Sequence, residues 1–240
     1  MSSRRSPPWL LASLAATVAC QAPAARTDPI DLSVRLENVG TPQTASCGAY
    51  DPLVAPGIYA VAPMGTPLFS TGVPDPGRGL APLAEDGDPS VLHTSVAQDE
   101  DVFEVNVFDT PDGTYESGAI QPGEAFSFTL RARPGDRLFL AGMYVQSNDL
   151  FVATPPEGLA LFDGDDPITG VRDGALALYD AGTEVNEEPG CGPNQAPRQA
   201  APGEGAVESA PVDLVEARQD GFPYPAASSI LQLSIDAANP

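Results

Sequence analysis

The sequence predicts an all-β protein, a single antiparallel β-sandwich carrying one or two short helices. Three observations point there. Short stretches in which apolar and polar residues alternate recur along the chain, the mark of strands with one buried face. The 27 prolines and 23 glycines punctuate the chain between those stretches, where turns require them. Helix-like patterning is confined to two short segments near residues 79–97. Many short strands with turn punctuation and little helix read as a sandwich.

Residues 1–20 read as an export signal. Arg4 and Arg5 form a positive n-region, Trp9 to Val18 a short apolar h-region, and small residues precede Cys20; this is the layout of a secretory leader and too short to span a bilayer. Thr17-Val18-Ala19-Cys20 is similar to a bacterial lipobox, in which the Cys is lipidated and starts the mature chain, although that motif usually carries Leu three residues before the Cys. The alternative is an ordinary cleavage near Ala19 or Ala25. Residues 21–29 then form a tether, and 30–240 form one domain.

A chain starting at Cys20 keeps nine of the 11 basic residues, all arginine, against all 33 acidic ones, a net charge of −24. Such a surface repels phosphate backbones and excludes ordinary nucleic-acid binding. It attracts divalent cations and favours solubility. Once Cys20 is spent, Cys47 and Cys191 remain. In an oxidising compartment they are expected to form one disulfide; two unpaired thiols are the alternative.

The elements follow in order. Asp31-Leu32-Ser33-Val34-Arg35-Leu36-Glu37 alternates as a half-buried strand;. Residues 54–63 are a second strand, interrupted at Pro56-Gly57, and Leu68-Phe69 a short third piece. Residues 79–85 predict one helical turn. Asp88-Pro89-Ser90 predicts a helix start with Asp88 as N-cap and Pro89 in the first position, turning Val91, Leu92 and Val96 inward;. Residues 102–107 alternate again. Phe126, Phe128 and Leu130 alternate with Ser127, Thr129 and Arg131, Pro134-Gly135 is a turn, and the run 138–145 is a more buried strand, so 124–145 predicts a hairpin;. Residues 175–179 and 230–235 complete the strands. Between them, about 187–227 is rich in Pro, Gly, Ala and Gln and reads as a long, partly mobile surface loop with one ordered island at 212–215;.

Two acidic segments follow apolar runs: Ser147-Asn148-Asp149-Leu150-Phe151 and Asp180-Ala181-Gly182-Thr183-Glu184-Val185-Asn186. Carboxylates in loops at strand ends can converge on a hard cation.

Three motifs in order resemble the spondin domain, the N-terminal module of F-spondin-like matrix proteins that also occurs in bacterial secreted proteins. They are Leu-Ala-Glu-Asp-Gly-Asp-Pro at 83–89, Pro-Gly-Asp-Arg-Leu at 134–138 running into Asn-Asp-Leu-Phe-Val at 148–152, and Tyr-Asp-Ala-Gly-Thr-Glu-Val-Asn at 179–186. The resemblance covers roughly 31–188 and the last strand. It implies a C2-like β-sandwich with Ca²⁺ at one end. Carried over by motif, the metal ligands are Asp149, Asp180 and Glu184; animal members typically have Asp where this chain has Glu184, whose carboxylate reaches further. Asn148, Asn186 and backbone carbonyls are candidates to complete a shell of about six to eight oxygens. The resemblance also implies a non-catalytic role in adhesion, with a protein or glycan partner at the cell surface or matrix.

Physical chemistry supports a cation there, because three gathered carboxylates repel one another unless neutralised. The competing reading is that these Asp residues only cap turns through their own backbone. Asp163-Gly164-Asp165-Asp166 lacks EF-hand spacing, since Pro167 falls where a ligand belongs; it reads as a solvated turn. Glu85-Asp86-Gly87-Asp88 reads as a turn and helix cap. The single histidine is His93, and neither a Gly-x-Ser-x-Gly elbow nor a His-Glu-x-x-His motif is present;. An enzyme is therefore not expected. A secreted hydrolase using a carboxylate pair and a metal-free structural envelope lipoprotein are the runner-up readings.

Overall fold

A computed structural model describes residues 28–238. The signal segment, Cys20 and tether residues 21–27 lie outside the described residues. In chain order the first strands are β1 (Ile30–Asn38), β2 (Gln43–Ala45), β3 (Gly48–Tyr50) and β4 (Val54–Ala62). Helices α1 (Leu80–Asp86) and α2 (Ser90–Val96) follow. Then come β5 (Glu104–Phe108), β6 (Ala125–Ala132), β7 (Arg137–Tyr144), β8 (Leu150–Ala153), β9 (Leu159–Ala160), β10 (Phe162–Asp163) and β11 (Asp166–Pro167). The last are β12 (Gly170–Val171), β13 (Ala177–Asp180), β14 (Asp213–Leu214) and β15 (Leu231–Ala237).

These strands build an antiparallel β-sandwich. One sheet runs β12-β15-β1-β6, and the larger runs β14-β13-β8-β7-β4-β5 with β9 beside β7. The smaller sheet has one buried face. Along β1, Leu32, Val34 and Leu36 are fully buried and the residues between them are half-exposed. Their partners on β6 and β15 (Phe126, Leu130, Leu233 and Ile235) share the core with Tyr59, Val61, Leu138, Leu140, Val152 and Leu178 of the larger sheet. Burying each such side chain contributes about 1.5–3 kcal/mol.

The larger sheet is covered on both faces. Its outer face (Ile58, Ala60, Phe139, Ala141, Phe151 and Tyr179) packs under Leu80, Leu83, Leu92 and Val96 of the two helices, with Leu68 and Phe69 alongside. That second cover explains why residues 138–144 are continuously apolar while β1 alternates; a strand buried on both sides has no solvent face to keep polar.

Three expectations need correction. Residues 124–145 do not form a hairpin: β6 pairs with β1 in one sheet, and β7 pairs with β4, β8 and β9 in the other. The turn closed by Asp136 N–H donating to Arg133 O, at 2.9 Å, is a corner between sheets. A tight turn of this kind serves either geometry, and the apolar demand of the two sheets decides. Helix α2 begins one residue late, with Pro89 as cap; Asp88 Oδ1 still accepts the Ser90 N–H at 2.9 Å. The segment 187–227 is not one loop laid over the surface. It contributes β14, buries Gln195, Val212 and Val215, and is cross-linked by the Cys47–Cys191 disulfide, with Cα atoms 5.7 Å apart. The ordered island expected at 212–215 is thus part of the larger sheet.

Candidate functional site

The two acidic segments meet at one end of the larger sheet. Strands β8 and β13 pair in the register Phe151↔Tyr179 and Leu150↔Asp180. Asp180 ends β13, Asp149 precedes β8, and Ala181 N–H donates to Asp149 O at 3.1 Å. Beneath them, Phe69, Phe151 and Tyr179 form an aromatic cluster with centroids 4.9 to 5.5 Å apart. Both carboxylates are fully buried.

Asp149 holds the Asp180 loop in place. Its Oδ2 accepts the backbone N–H groups of Thr183 at 2.9 Å and Glu184 at 3.1 Å. Its Oδ1 is buried and has no partner. Burial, and then the neighbouring Asp180 charge, push the Asp149 carboxyl well above its ordinary range, against the pull of those two N–H groups. A buried anion with an idle oxygen carries a desolvation cost that a cation would offset.

Asp180 is better served. Its Oδ1 accepts the Gly182 N–H at 2.6 Å, and its Oδ2 accepts Asn186 Nδ2 at 2.6 Å. Asn186 Nδ2 also donates to Asp220 Oδ2 at 3.3 Å. Two carboxylates on that atom identify it as the amide nitrogen, which leaves Asn186 Oδ1 buried and unpartnered;. Arg218 Nε lies 2.7 Å from Asp180 Oδ2. Its N–H finds no hydrogen-bonding partner, so the contact is Coulombic and not a directed hydrogen bond.

Glu184 stands apart from this pair. Its backbone serves Asp149, whereas its carboxylate is buried against Gly205, where an added Cβ would lie 2.2 Å from Glu184 Cδ. Burial, and then the charges of Glu85, Asp86 and Glu187, raise its pKa to about 7, against a hydrogen bond from Asn148; Glu184 Oε2 has no partner. Among the described residues no three His, Cys, Asp or Glu side chains come together as a group that could hold a metal ion. The convergent anions are Asp149 and Asp180, and Glu184 acts on Asp149 through its backbone N–H and its charge.

Asn148 spends its side chain on the second acidic segment. Its Nδ2 donates to Val185 O at 3.1 Å, and its Oδ1 accepts the Glu187 N–H at 3.2 Å. It staples the second segment and does not offer a free oxygen. The disulfide lies further along the same strand-end segment. Gly190 N–H donates to Gln146 O at 2.9 Å, and Glu188 accepts the Ser46 N–H at 2.7 Å beside Cys47. Residues 146–149, the β2–β3 hairpin and residues 186–195 are therefore joined.

Asp163-Gly164-Asp165-Asp166 forms the exposed turn between β10 and β11. Glu85 and Asp86 end α1, where Asp86 Oδ1 accepts Gln199 Nε2 and the Gly203 N–H at 2.8 and 3.0 Å. His93 sits in α2, away from the carboxylate pair. Arg218 was missed by sequence reasoning. It lies 38 residues after Asp180 in a segment without periodicity, and only the β13–β14 pairing, Asp180↔Asp213, brings it back.

No protein-family model matches the chain. No curated protein matches it either.

The donor chemistry suits a hard cation. Asp149 Oδ1 and Asn186 Oδ1 are idle buried oxygens next to a second carboxylate, the kind of all-oxygen set that Ca²⁺ takes. The guanidinium at Asp180 shows that the pair already draws positive charge.

Proposed function

We propose that the chain is an exported, non-catalytic, spondin-like binding module whose end loops are organised by Ca²⁺, and that it contacts a protein or glycan at the cell surface or matrix. The observation that carries this reading is Asp149 Oδ1, a fully buried carboxylate oxygen with no partner beside a second buried carboxylate. Asp149, Asp180 and the Asn186 amide oxygen supply side-chain ligands. Glu184 adds its charge, and backbone carbonyls and solvent complete a shell of about six to eight oxygens. Bound Ca²⁺ supplies the positive charge that lets both loops stay closed. The chain's own residues do the rest: the β8–β13 register positions the carboxylates, and the Asp149 hydrogen bonds shape the loop from Thr183 to Asn186.

The leader at residues 1–20 supports an extracytoplasmic location, with lipidated Cys20 as the membrane anchor. Intact-mass analysis of native material tests that part: acyl groups on a chain starting at Cys20 are expected, and an unlipidated N-terminus downstream overturns it.

A metal-free reading has one observation in its favour, the Arg218 ion pair at Asp180. Thermal melting in excess Ca²⁺ and in chelator separates the two. A ligand that binds only the folded state raises the melting temperature by mass action. Identical curves support the metal-free protein.

A further inference from the structure

We infer that Arg218 is a tethered cation that competes with the divalent ion for Asp180, so that binding the ion releases the strap formed by residues 218–224. The inference rests on the calcium reading above, and it gives that site an internal competitor.

The strap spans two anchored ends, with Tyr224 packed on the core and Ala227 and Ile230 buried just beyond it. Val212 and Val215 are buried, and β14 pairs with β13 up to Asp180. Beyond them a 3-10 turn, Val215–Ala217, delivers Arg218 over the carboxylate pair. Arg218 Nη2 donates to Pro211 O at 2.8 Å, which aims the guanidinium but does not lock it. The Nε contact to Asp180 is close but undirected, and the side chain retains 18% exposure. Asp220 continues the attachment. Its Oδ2 accepts Asn186 Nδ2 at 3.3 Å and the Tyr224 hydroxyl at 2.5 Å, and its Oδ1 accepts the Phe222 N–H at 3.0 Å. The strap from 218 to 224 thus reaches the site through Arg218 to Asp180 and Asp220 to Asn186.

The guanidinium offsets the charge of Asp180 alone, while Asp149 is held back from ionising by burial and by Asp180. A divalent ion offsets both, and in doing so removes the attraction that holds Arg218. Two cations on one carboxylate repel strongly in a site from which water is excluded. The guanidinium, 18% exposed, has solvent within reach and gives way, exchanging its undirected Asp180 contact and the Pro211 hydrogen bond for water. Ion binding and strap closure are then coupled with negative sign, and the coupling is reciprocal.

Calcium titration calorimetry on the wild type and on Arg218→Gln, with hydrogen exchange of the wild type, tests this. Arg218→Gln is expected to bind Ca²⁺ about tenfold more tightly, within the usual span of coupled sites. Arg218→Lys, which keeps the charge, is expected to bind close to the wild type. In the wild type, Ca²⁺ is expected to speed amide exchange over 218–224 while slowing it over 180–186. Exchange needs no variant, so the inference stays testable if Arg218→Gln fails to fold. Equal Ca²⁺ affinity in wild type and Arg218→Gln, or strap exchange slowed by Ca²⁺, overturns the competition and leaves the calcium site standing. Calcium binding by neither protein overturns the site and the competition together. Binding by Arg218→Gln alone supports an arginine that outcompetes the ion.

Discussion

Phe151 and Tyr179 lie directly opposite each other across the β8–β13 ladder, with ring centroids 5.5 Å apart and planes 21° from parallel. This pairing sets the register of both strands, and register decides which residues reach the strand ends. Asp149 and Asp180 meet because the rings below them match. A slip of one residue between the strands would put Phe151 and Tyr179 on opposite faces and separate the carboxylates. The buried aromatic cluster with Phe69 is therefore the mechanical base of the site.

Phe151→Ala is expected to cost about 3–5 kcal/mol, the usual penalty for emptying a buried aromatic position. Because the register also positions Asp149, the variant should lose calcium affinity as well as stability. Urea unfolding in chelator gives the first quantity and calorimetric titration the second. Full calcium affinity in a destabilised but folded Phe151→Ala would show that the site does not depend on this pairing.

Much of this end of the molecule is legible in the sequence. Asp149 and Asp180 each adjoin an apolar run, so their place at strand ends follows from periodicity alone. The Cys47–Cys191 bridge follows from counting the cysteines that an exported chain retains. Strand partners are less legible. β6 and β7 are separated by a tight turn that suits a hairpin, yet they enter different sheets because each finds its apolar complement elsewhere. Arg218 was not legible at all. Its role comes from β14, two residues long, and nothing local distinguishes it from other surface arginines.

The two buried carboxylates should respond oppositely to neutralisation. In chelator, Asp149→Asn removes a charge that burial and Asp180 both disfavour, and it keeps an oxygen for the Thr183 and Glu184 N–H groups. It is expected to stabilise the metal-free protein by about 1–3 kcal/mol. Asp180→Asn leaves Arg218, only 18% exposed, without its anion, and is expected to destabilise by about 2–3 kcal/mol. Both should lose the calcium-induced rise in melting temperature. Chelator melts of the two variants check the signs; two shifts in the same direction would contradict the charge balance described here.

The disulfide joins residues 144 apart in sequence. In the chain-entropy treatment, closing so long a loop is expected to contribute roughly 5 kcal/mol. Cys47→Ala/Cys191→Ala should lower the urea midpoint accordingly. It should also weaken calcium binding, because Gly190, next to Cys191, is bonded to Gln146 close to Asp149. Non-reducing peptide mapping of native protein should recover the two cysteine peptides linked. A double variant with unchanged stability would show that the hydrogen bonds of Gln195 to Gly190 and to Glu188 O, and of Glu188 to Ser46, alone hold the segment.

Two glycines with nearly the same backbone angle separate conformational strain from crowding at the site. Gly182 has φ +67° and Gly164 has φ +60°, a region that side-chain-bearing residues rarely adopt;. A Cβ on Gly164 would meet nothing within 4 Å, whereas on Gly182 it would lie 2.5 Å from Ala210 O. Gly182 N–H also donates to Asp180 Oδ1, and Gly182 O accepts the Ala210 N–H at 2.9 Å. Gly164→Ala is therefore expected to cost about 1 kcal/mol, from left-handed strain alone. Gly182→Ala should cost more, about 2–4 kcal/mol, because the backbone of residue 210 must also move. That movement shifts the Asp180 carboxylate, so Gly182→Ala should also weaken calcium binding while Gly164→Ala leaves it unchanged. Urea unfolding with and without Ca²⁺ reads both effects. Equal losses in the two variants would mean that the crowding around Gly182 relaxes freely and that the loop does not hold Asp180 in position.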